Sequence, residues 1–262
     1  MDPQQPLPPK QILNVPVAII IAAVIIAVSI VWIKKPTGTV STTASSSLSI
    51  PATQTVLAPV TGDDHILGNP NAPVKIVEFS DPSCPYCKMF YPVMQQIMNT
   101  YGASGQVAWI YRAFPLDKPD PSGNVLHPNA GHESQALECA EVLGGNDKFW
   151  AYANRLYDIT PSVTPTTPNG LDQSQLPVIA QYVGLNVTTF NQCLSSGQTA
   201  SRVDAEYQEG LAAGVDGTPY SFIISSGSNT PIPIPGSESY AQMKTIIDQL
   251  IPAAATSTAS QP

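Results

Sequence analysis

The sequence predicts one α/β domain carrying a helical insertion, and three observations predict it. A β-branched apolar run at residues 74–79 leads directly into helical spacing, the middle third of the chain holds only helical patterns, and strand patterns return after Gly214. Val74-Lys75-Ile76-Val77-Glu78-Phe79, bounded by Pro73 and by Ser80-Asp81-Pro82, has the composition of a buried strand. Pro85 suits a first helical turn, where its missing N–H costs nothing, and Met89, Phe90, Val93, Met94, Ile97 and Met98 recur at helical spacing up to Tyr101-Gly102. Residues 106–114 form a second strand, and a loop rich in Pro and Gly follows from 115 to about 129. Helical patterns then occupy 132–143, 147–157, 174–183, 188–194 and 199–213, so the insertion covers about 115–213. Strands at 220–224 and 232–234 flank a turn at 225–229, and an amphipathic helix covers 239–250.

The flanks differ from this domain in composition. Residues 12–33 carry no charge and are interrupted only by Asn14, Pro16 and Ser29, a length that at about 1.5 Å per residue spans a hydrocarbon core of about 30 Å. A cleaved signal peptide is the alternative, but its apolar stretch would be shorter, about 7 to 15 residues, and no small-x-small site follows Trp32 directly. The expectation is therefore a single transmembrane anchor at 12–33 preceded by a cytoplasmic segment, 1–11. Lys10 on one side and Lys34 and Lys35 on the other leave the orientation to the cysteine chemistry, which favours an oxidising compartment for the rest of the chain. Residues 34–62 are expected to form a disordered linker, the folded domain to run over 63–251, and residues 252–262 to form a disordered tail, because Thr, Ser, Ala and Pro bury too little apolar surface to offset ordering. With 19 Asp plus Glu against 11 Lys plus Arg and no basic block, the chain offers no surface for nucleic acid.

Cys84-Pro85-Tyr86-Cys87 joins the first strand to the first helix. Unpaired N–H groups and the helix dipole favour a thiolate at Cys84, and a cysteine three positions on can resolve a mixed disulfide and close a small ring with it. Half a zinc site is the competing reading of a lone C-x-x-C, but His65, His127 and His132 stand at no spacing that completes one, so no metal and no cofactor are expected. Glu78 falls inside the strand before the motif. Burial would raise its pKa toward neutrality and let it exchange a proton with Cys87; strand periodicity alone leaves open an exposed acid on an edge strand.

Cys139 shares an apolar helical face with Ala136, Val142 and Leu143, and Cys193 lies near Phe190 and Leu194. Either the two form a structural disulfide between insertion helices or they are unrelated buried thiols, and the even cysteine count of an exported chain favours the bridge.

Over about residues 63–250 the sequence resembles the DsbA-like thiol-disulfide oxidoreductases, particularly the membrane-tethered or Gram-positive type called BdbD. The residues that carry the resemblance are Leu67-Gly68-Asn69-Pro70-Asn71-Ala72-Pro73-Val74, Glu78-Phe79-Ser80-Asp81, Cys84-Pro85-Tyr86-Cys87, Lys148-Phe149-Trp150 and Gly214-Val215-Asp216-Gly217-Thr218-Pro219. The resemblance implies a thioredoxin-like fold with an inserted α-helical domain, here preceded by a single N-terminal transmembrane helix. It further implies that Pro219 is a cis-proline facing the sulfurs, that Thr218, Pro219, Pro85 and Tyr86 contact an extended thiol substrate, and that some relatives bridge the second cysteine pair. The expected activity is insertion of disulfides into unfolded or reduced exported proteins by a monomer, with reoxidation by a membrane quinone-linked oxidase of the DsbB or vitamin-K-epoxide-reductase type. DsbA has histidine where Tyr86 stands here, so its strong oxidising power is not implied. A disulfide isomerase or reductase of the same fold is one alternative, and a non-redox tethered chaperone or metal-binding module is another.

Overall fold

The computed structural model describes residues 57–119, 122–161 and 170–251. The expected membrane span at 12–33 and the expected tail at 252–262 lie outside them; among the described residues no helix is long and apolar enough to cross a membrane.

A five-stranded sheet has the order β1-β3-β2-β4-β5. Its strands are β1 (His65–Gly68), β2 (Val74–Ser80), β3 (Val107–Ala113), β4 (Tyr220–Ser225) and β5 (Ser228–Pro235). β2 and β3 run parallel, and the other neighbours are antiparallel. The parallel pair is joined by α1 (Pro85–Ile97) and a π-helical turn, Met98–Gly102. After β3 come α2 (Ala130–Ile159), a 3-10 turn (Gln173–Gln175), α3 (Leu176–Tyr182), α4 (Val187–Ser196) and α5 (Ala200–Ala213), and α6 (Tyr240–Leu250) closes the domain. The thioredoxin-like β-α-β core with an inserted helical block is therefore present.

Both faces of the sheet are covered, which is why β3 is buried at every position and β2 at every position but Lys75. Val74 and Ile76 of β2 and Trp109 and Tyr111 of β3 pack with Phe90, Tyr91 and Met94 of α1, Met243 and Ile247 of α6, and Phe149 and Trp150 of α2. Val77, Phe79, Ile110 and Phe222 point the other way, toward Phe114, Ala213 and Val215. On that second face α5 approaches the sheet closely at Gly210, where a Cβ would stand 2.5 Å from the Phe114 ring. α2 is two helical stretches broken at Gly145, whose φ of 71° is open to glycine, matching the separate patterns at 132–143 and 147–157.

Two expectations need correction. β1 was not expected: His65-Ile66-Leu67-Gly68 is a four-residue strand without apolar alternation, held as an edge by pairing with β3. The linker expected over 34–62 ends sooner, because Leu57 and Val60 pack on the second face of the sheet and Arg112 donates to the Ala58 and Pro59 carbonyls.

Cys139 of α2 and Cys193 of α4 form a disulfide with Cα atoms 5.9 Å apart. The bridge spans 54 residues of chain. By loop entropy it contributes about 4 kcal/mol.

Candidate active site

The turn after β2 and the start of α1 build the site. Asp81 caps the turn from within: its carboxylate accepts from the Ser83 N–H at 2.7 Å, and its carbonyl accepts from the Cys84 N–H at 3.1 Å. Cys84 is then the extended N-cap residue of α1, Pro85 occupies the first turn, and the first helical hydrogen bond runs from Lys88 N–H to the Cys84 carbonyl at 3.0 Å. Cys84 and Cys87 are both free thiols and both buried, while Tyr86 between them is 60% exposed.

The two sulfurs sit in opposed environments. A hydrogen bond from the Cys87 thiol pulls the Cys84 thiol down to about 6 against the cost of its burial, with smaller help from Thr218 and from the Cys87 backbone N–H. Burial pushes the Cys87 thiol well up, and a charge on Cys84 adds to that. At neutral pH the dithiol therefore carries its negative charge on Cys84. The helix start contributes through the Cys87 N–H, but the neighbouring thiol contributes more.

Cys84 Sγ lies 3.4 Å from the Thr218 carbonyl, and the Thr218–Pro219 peptide bond is cis. The loop before β4 thus stands against the attacking sulfur. Tyr86, Met89, Thr218, Pro235, Gly236 and Ser237 line a shallow depression beside it, with Met89 62% exposed.

β2 places Glu78 on the face toward α1, level with Tyr111 on β3 and Ser221 on β4. Glu78 is fully buried, and neither carboxylate oxygen accepts a hydrogen bond of ordinary length; the Ser221 hydroxyl and Trp109 indole N–H are also unpartnered. Burial pushes its carboxyl up to about 7, only partly offset by the Ser80 and Trp109 side chains. A charge on Cys84 raises Glu78, and a charge on Glu78 raises Cys87, so the three groups titrate against one another.

Several polar groups around the cysteines have partners that no sequence spacing signals. Asp81 is wholly buried, donates its N–H toward Cys87 Sγ at 3.4 Å and meets His127 Nδ1 at 2.7 Å. Ser83 donates to Glu133 at 2.7 Å, and Gln173 donates to the other Glu133 oxygen at 2.9 Å. Burial pushes Glu133 up to about 7 despite these bonds. Partners 46 or 50 residues apart in different elements share no spacing that a linear reading can use.

Neither cysteine belongs to a cluster of metal-ligating groups among the described residues. His127 turns to Asp81 and His132 to Gln173. His65, Glu138 and Glu206 do bring ligand atoms within 4.8 Å of one another. The Arg202 guanidinium already sits on this group, 2.8 Å from Glu138 and 3.3 Å from Glu206, and supplies the positive charge.

Comparison with known proteins gives a consistent picture. The family model described as Thioredoxin matches residues 60–249. Over 171 residues the chain is 27% identical to the Na(+)/H(+) antiporter NhaA 1 of Mycolicibacterium vanbaalenii, a match that takes in 64% of this chain and 24% of the antiporter. The chain thus spans about a quarter of the length of the curated relatives it first matches. Among solved structures, Wolbachia pipientis alpha-DsbA1 superposes with a TM-score of 0.61 at 20% identity, covering 73% of this chain and 92% of that one. BdbD from Bacillus subtilis, in its oxidised form, superposes with a TM-score of 0.60 at 19% identity, covering 72% and 94%.

Proposed function

We propose that this chain, which belongs to the thioredoxin family and is a DsbA-like thiol-disulfide oxidoreductase, introduces disulfides into reduced exported proteins on the outer side of a membrane, held there by an anchor at residues 12–33. The observation that carries the reading is the placement of Cys84: a sulfur at a helix start, 3.4 Å from the Thr218 carbonyl, with its neighbour's thiol holding it as the anion.

In the oxidised enzyme a substrate thiolate attacks Cys84 Sγ, forming a substrate–Cys84 disulfide and breaking the Cys84–Cys87 bond. Cys87 leaves as a thiolate in a buried place that disfavours it, and Glu78, held near neutrality, delivers a proton to it. A second substrate thiol, as its thiolate, attacks the substrate sulfur of the mixed disulfide and releases Cys84 as the stabilised anion. The substrate loses two electrons and the cysteine pair gains them. Thr218 and Pro219 present backbone to the substrate beside Cys84, and Tyr86 and Pro85 form the other wall.

The depressed Cys84 thiol supports the oxidase reading in kind: a stabilised reduced form makes a disulfide more oxidising. A membrane quinone-linked oxidase of the DsbB or vitamin-K-epoxide-reductase type would return the pair to the disulfide, and the domain over 63–251 would act as a monomer.

The test is to equilibrate the protein in glutathione buffers and to mix Cys87→Ser and Cys84→Ser, each first carried to its mixed disulfide with glutathione, with a reduced, unfolded substrate whose thiolate displaces glutathione from the sulfur it attacks. A reversible Cys84–Cys87 couple and a trapped Cys84 mixed disulfide are expected. A pair that forms no disulfide in an oxidising buffer, or a substrate captured by Cys84→Ser through Cys87 and not by Cys87→Ser, overturns the proposal.

A further inference from the structure

The Cys84-Pro85-Tyr86-Cys87 motif holds no basic residue, and the Lys88 ammonium that follows it turns away to the Tyr157 and Thr160 carbonyls. A buried acid stands on the other side. Asp81 lies three residues before Cys84, fully enclosed, and its negative charge opposes an anion on either sulfur. Left unbalanced, that carboxylate would work against the attacking thiolate.

It is not unbalanced. The loop between β3 and α2 carries His127 back to the turn and sets Nδ1 2.7 Å from Asp81 Oδ2. The same Asp81 oxygen accepts from Leu116 N–H at 2.9 Å, and Leu116 in turn accepts from His127 N–H at 3.0 Å, so backbone bonds fix imidazole and carboxylate together. His127 is itself buried. We propose that His127 is a positioning residue for the thiol exchange: as an imidazolium it neutralises Asp81 behind the active-site turn, so that the charge formed on Cys84 meets no opposing charge from that side. The positive charge that the motif's own dipeptide lacks is supplied from the start of the helical insertion.

The groups that face His127 agree with its holding the proton. Asp81 from the turn, Cys84 from the start of α1 and Glu133 from α2 each favour the charged ring, and together they outweigh its burial, which acts first and in the opposite sense. Cys87 feels Asp81 as well, so the leaving sulfur shares the benefit. Because the imidazolium lowers the energy of the dithiol form and not of the disulfide, it also makes the couple more oxidising.

The inference rests on Cys84 being the attacking thiolate, and its test separates the two ideas. The reduced full-length protein is titrated by thiolate absorbance, beside His127→Gln, Asp81→Asn and the double variant. Glutamine can still donate to Asp81 but carries no charge. The thiolate midpoint of His127→Gln should rise by about one unit, and that of the double variant should return to within about 0.3 unit of the wild type, since the acid that needed balancing is gone. A merely structural histidine predicts no rescue. An unmoved midpoint in His127→Gln, or a double variant displaced as far as the single one, overturns the inference alone. Should His127→Gln fail to fold, His127→Lys keeps a positive charge at Asp81 and must hold the midpoint within about 0.3 unit of the wild type, and a rise of about one unit overturns the inference. A wild-type protein whose cysteines show no depressed midpoint overturns the assignment of Cys84 and this inference with it.

Discussion

Glu78→Gln should stabilise the reduced protein, and only at neutral and alkaline pH. Raising a carboxyl from 4.5 to about 7 makes its ionisation in the folded state cost about 3 kcal/mol more than in the unfolded chain, at about 1.4 kcal/mol per pH unit. The sign follows from proton counting. Between pH 4.5 and about 7 the native state holds the Glu78 proton while the unfolded chain releases it, so stability falls as pH rises through this window and stays low above it. Glutamine has no proton to lose, and its amide can donate to the Ser221 hydroxyl on β4, which has no partner in the wild-type fold. Urea unfolding followed by the fluorescence of buried Trp109 and Trp150 should show a gain of about 3 kcal/mol at pH 8 that shrinks toward zero at pH 4.5. In the disulfide form the gain should be smaller, since no charge on Cys84 then raises Glu78. A gain of equal size at both pH values would mean that the effect is one of packing, and a loss at pH 8 would mean that the carboxylate is paired after all; either result refutes the argument. The same variant should slow the opening of the Cys84–Cys87 disulfide by a substrate thiol, measured by stopped-flow quenching, because the proton donor to the leaving Cys87 is gone.

Other outcomes follow from the same structure. His65 is raised to about 9 because its bonds to Glu138 and Glu141 outweigh burial. It therefore contributes stability that is fully present below pH 6.5 and is lost as pH rises to about 9; His65→Gln should flatten that alkaline slope in thermal melts. Replacing Cys139 and Cys193 together by alanine should cost about 4 kcal/mol in denaturant midpoint analysis while leaving the Cys84–Cys87 potential in place. Gly210→Ala should cost about 1 to 3 kcal/mol, since the added methyl meets the Phe114 and Phe79 rings and either α5 or the rings must move. The potential of the Cys84–Cys87 couple should fall between about −270 and −120 mV, read against glutathione, and a value outside that range would show that the Cys84 thiolate does not set it.

What a linear reading could reach is decided by whether the cause is local. β2, β3, α1 and α6 are visible because their apolar residues recur at the period of the element, and the break of α2 at Gly145 is visible because a pattern stops and restarts. β1 is invisible for the opposite reason: His65 is buried by stacking on Phe149 and bonding to Glu138, so its burial comes from another element and not from the strand's own composition. The end of the linker is hidden in the same way, since Leu57 and Val60 lie in a polar stretch whose docking surface is provided by the far face of the sheet. At the site, the cysteine spacing is local and legible. Glu78 was legible as an acid in a strand, but its face was not, because a strand covered on both sides gives no alternation to read. His127 offers a linear reading only a metal-ligand role, since nothing in a loop 46 residues downstream points back to Asp81.

The polar groups beneath the cysteines form a gradient of satisfaction, and the gradient suits the chemistry. Asp81 is fully bonded, by two N–H groups and an imidazole. Glu133 is bonded by Ser83 and Gln173 yet still held near neutrality by burial. Glu78, level with Ser221 on the neighbouring strand and unbonded, is the group whose proton is least committed. A proton relay needs one such group, because a fully bonded carboxylate would hold its charge too firmly to lend a proton to Cys87. Leaving Glu78 unsatisfied costs about 3 kcal/mol at neutral pH, a large part of the margin by which a domain is stable. The Cys139–Cys193 bridge contributes about the same amount from the helical insertion. The bridge, set in the helical insertion, thus offsets a cost of the size that an uncommitted acid under the active sulfurs imposes.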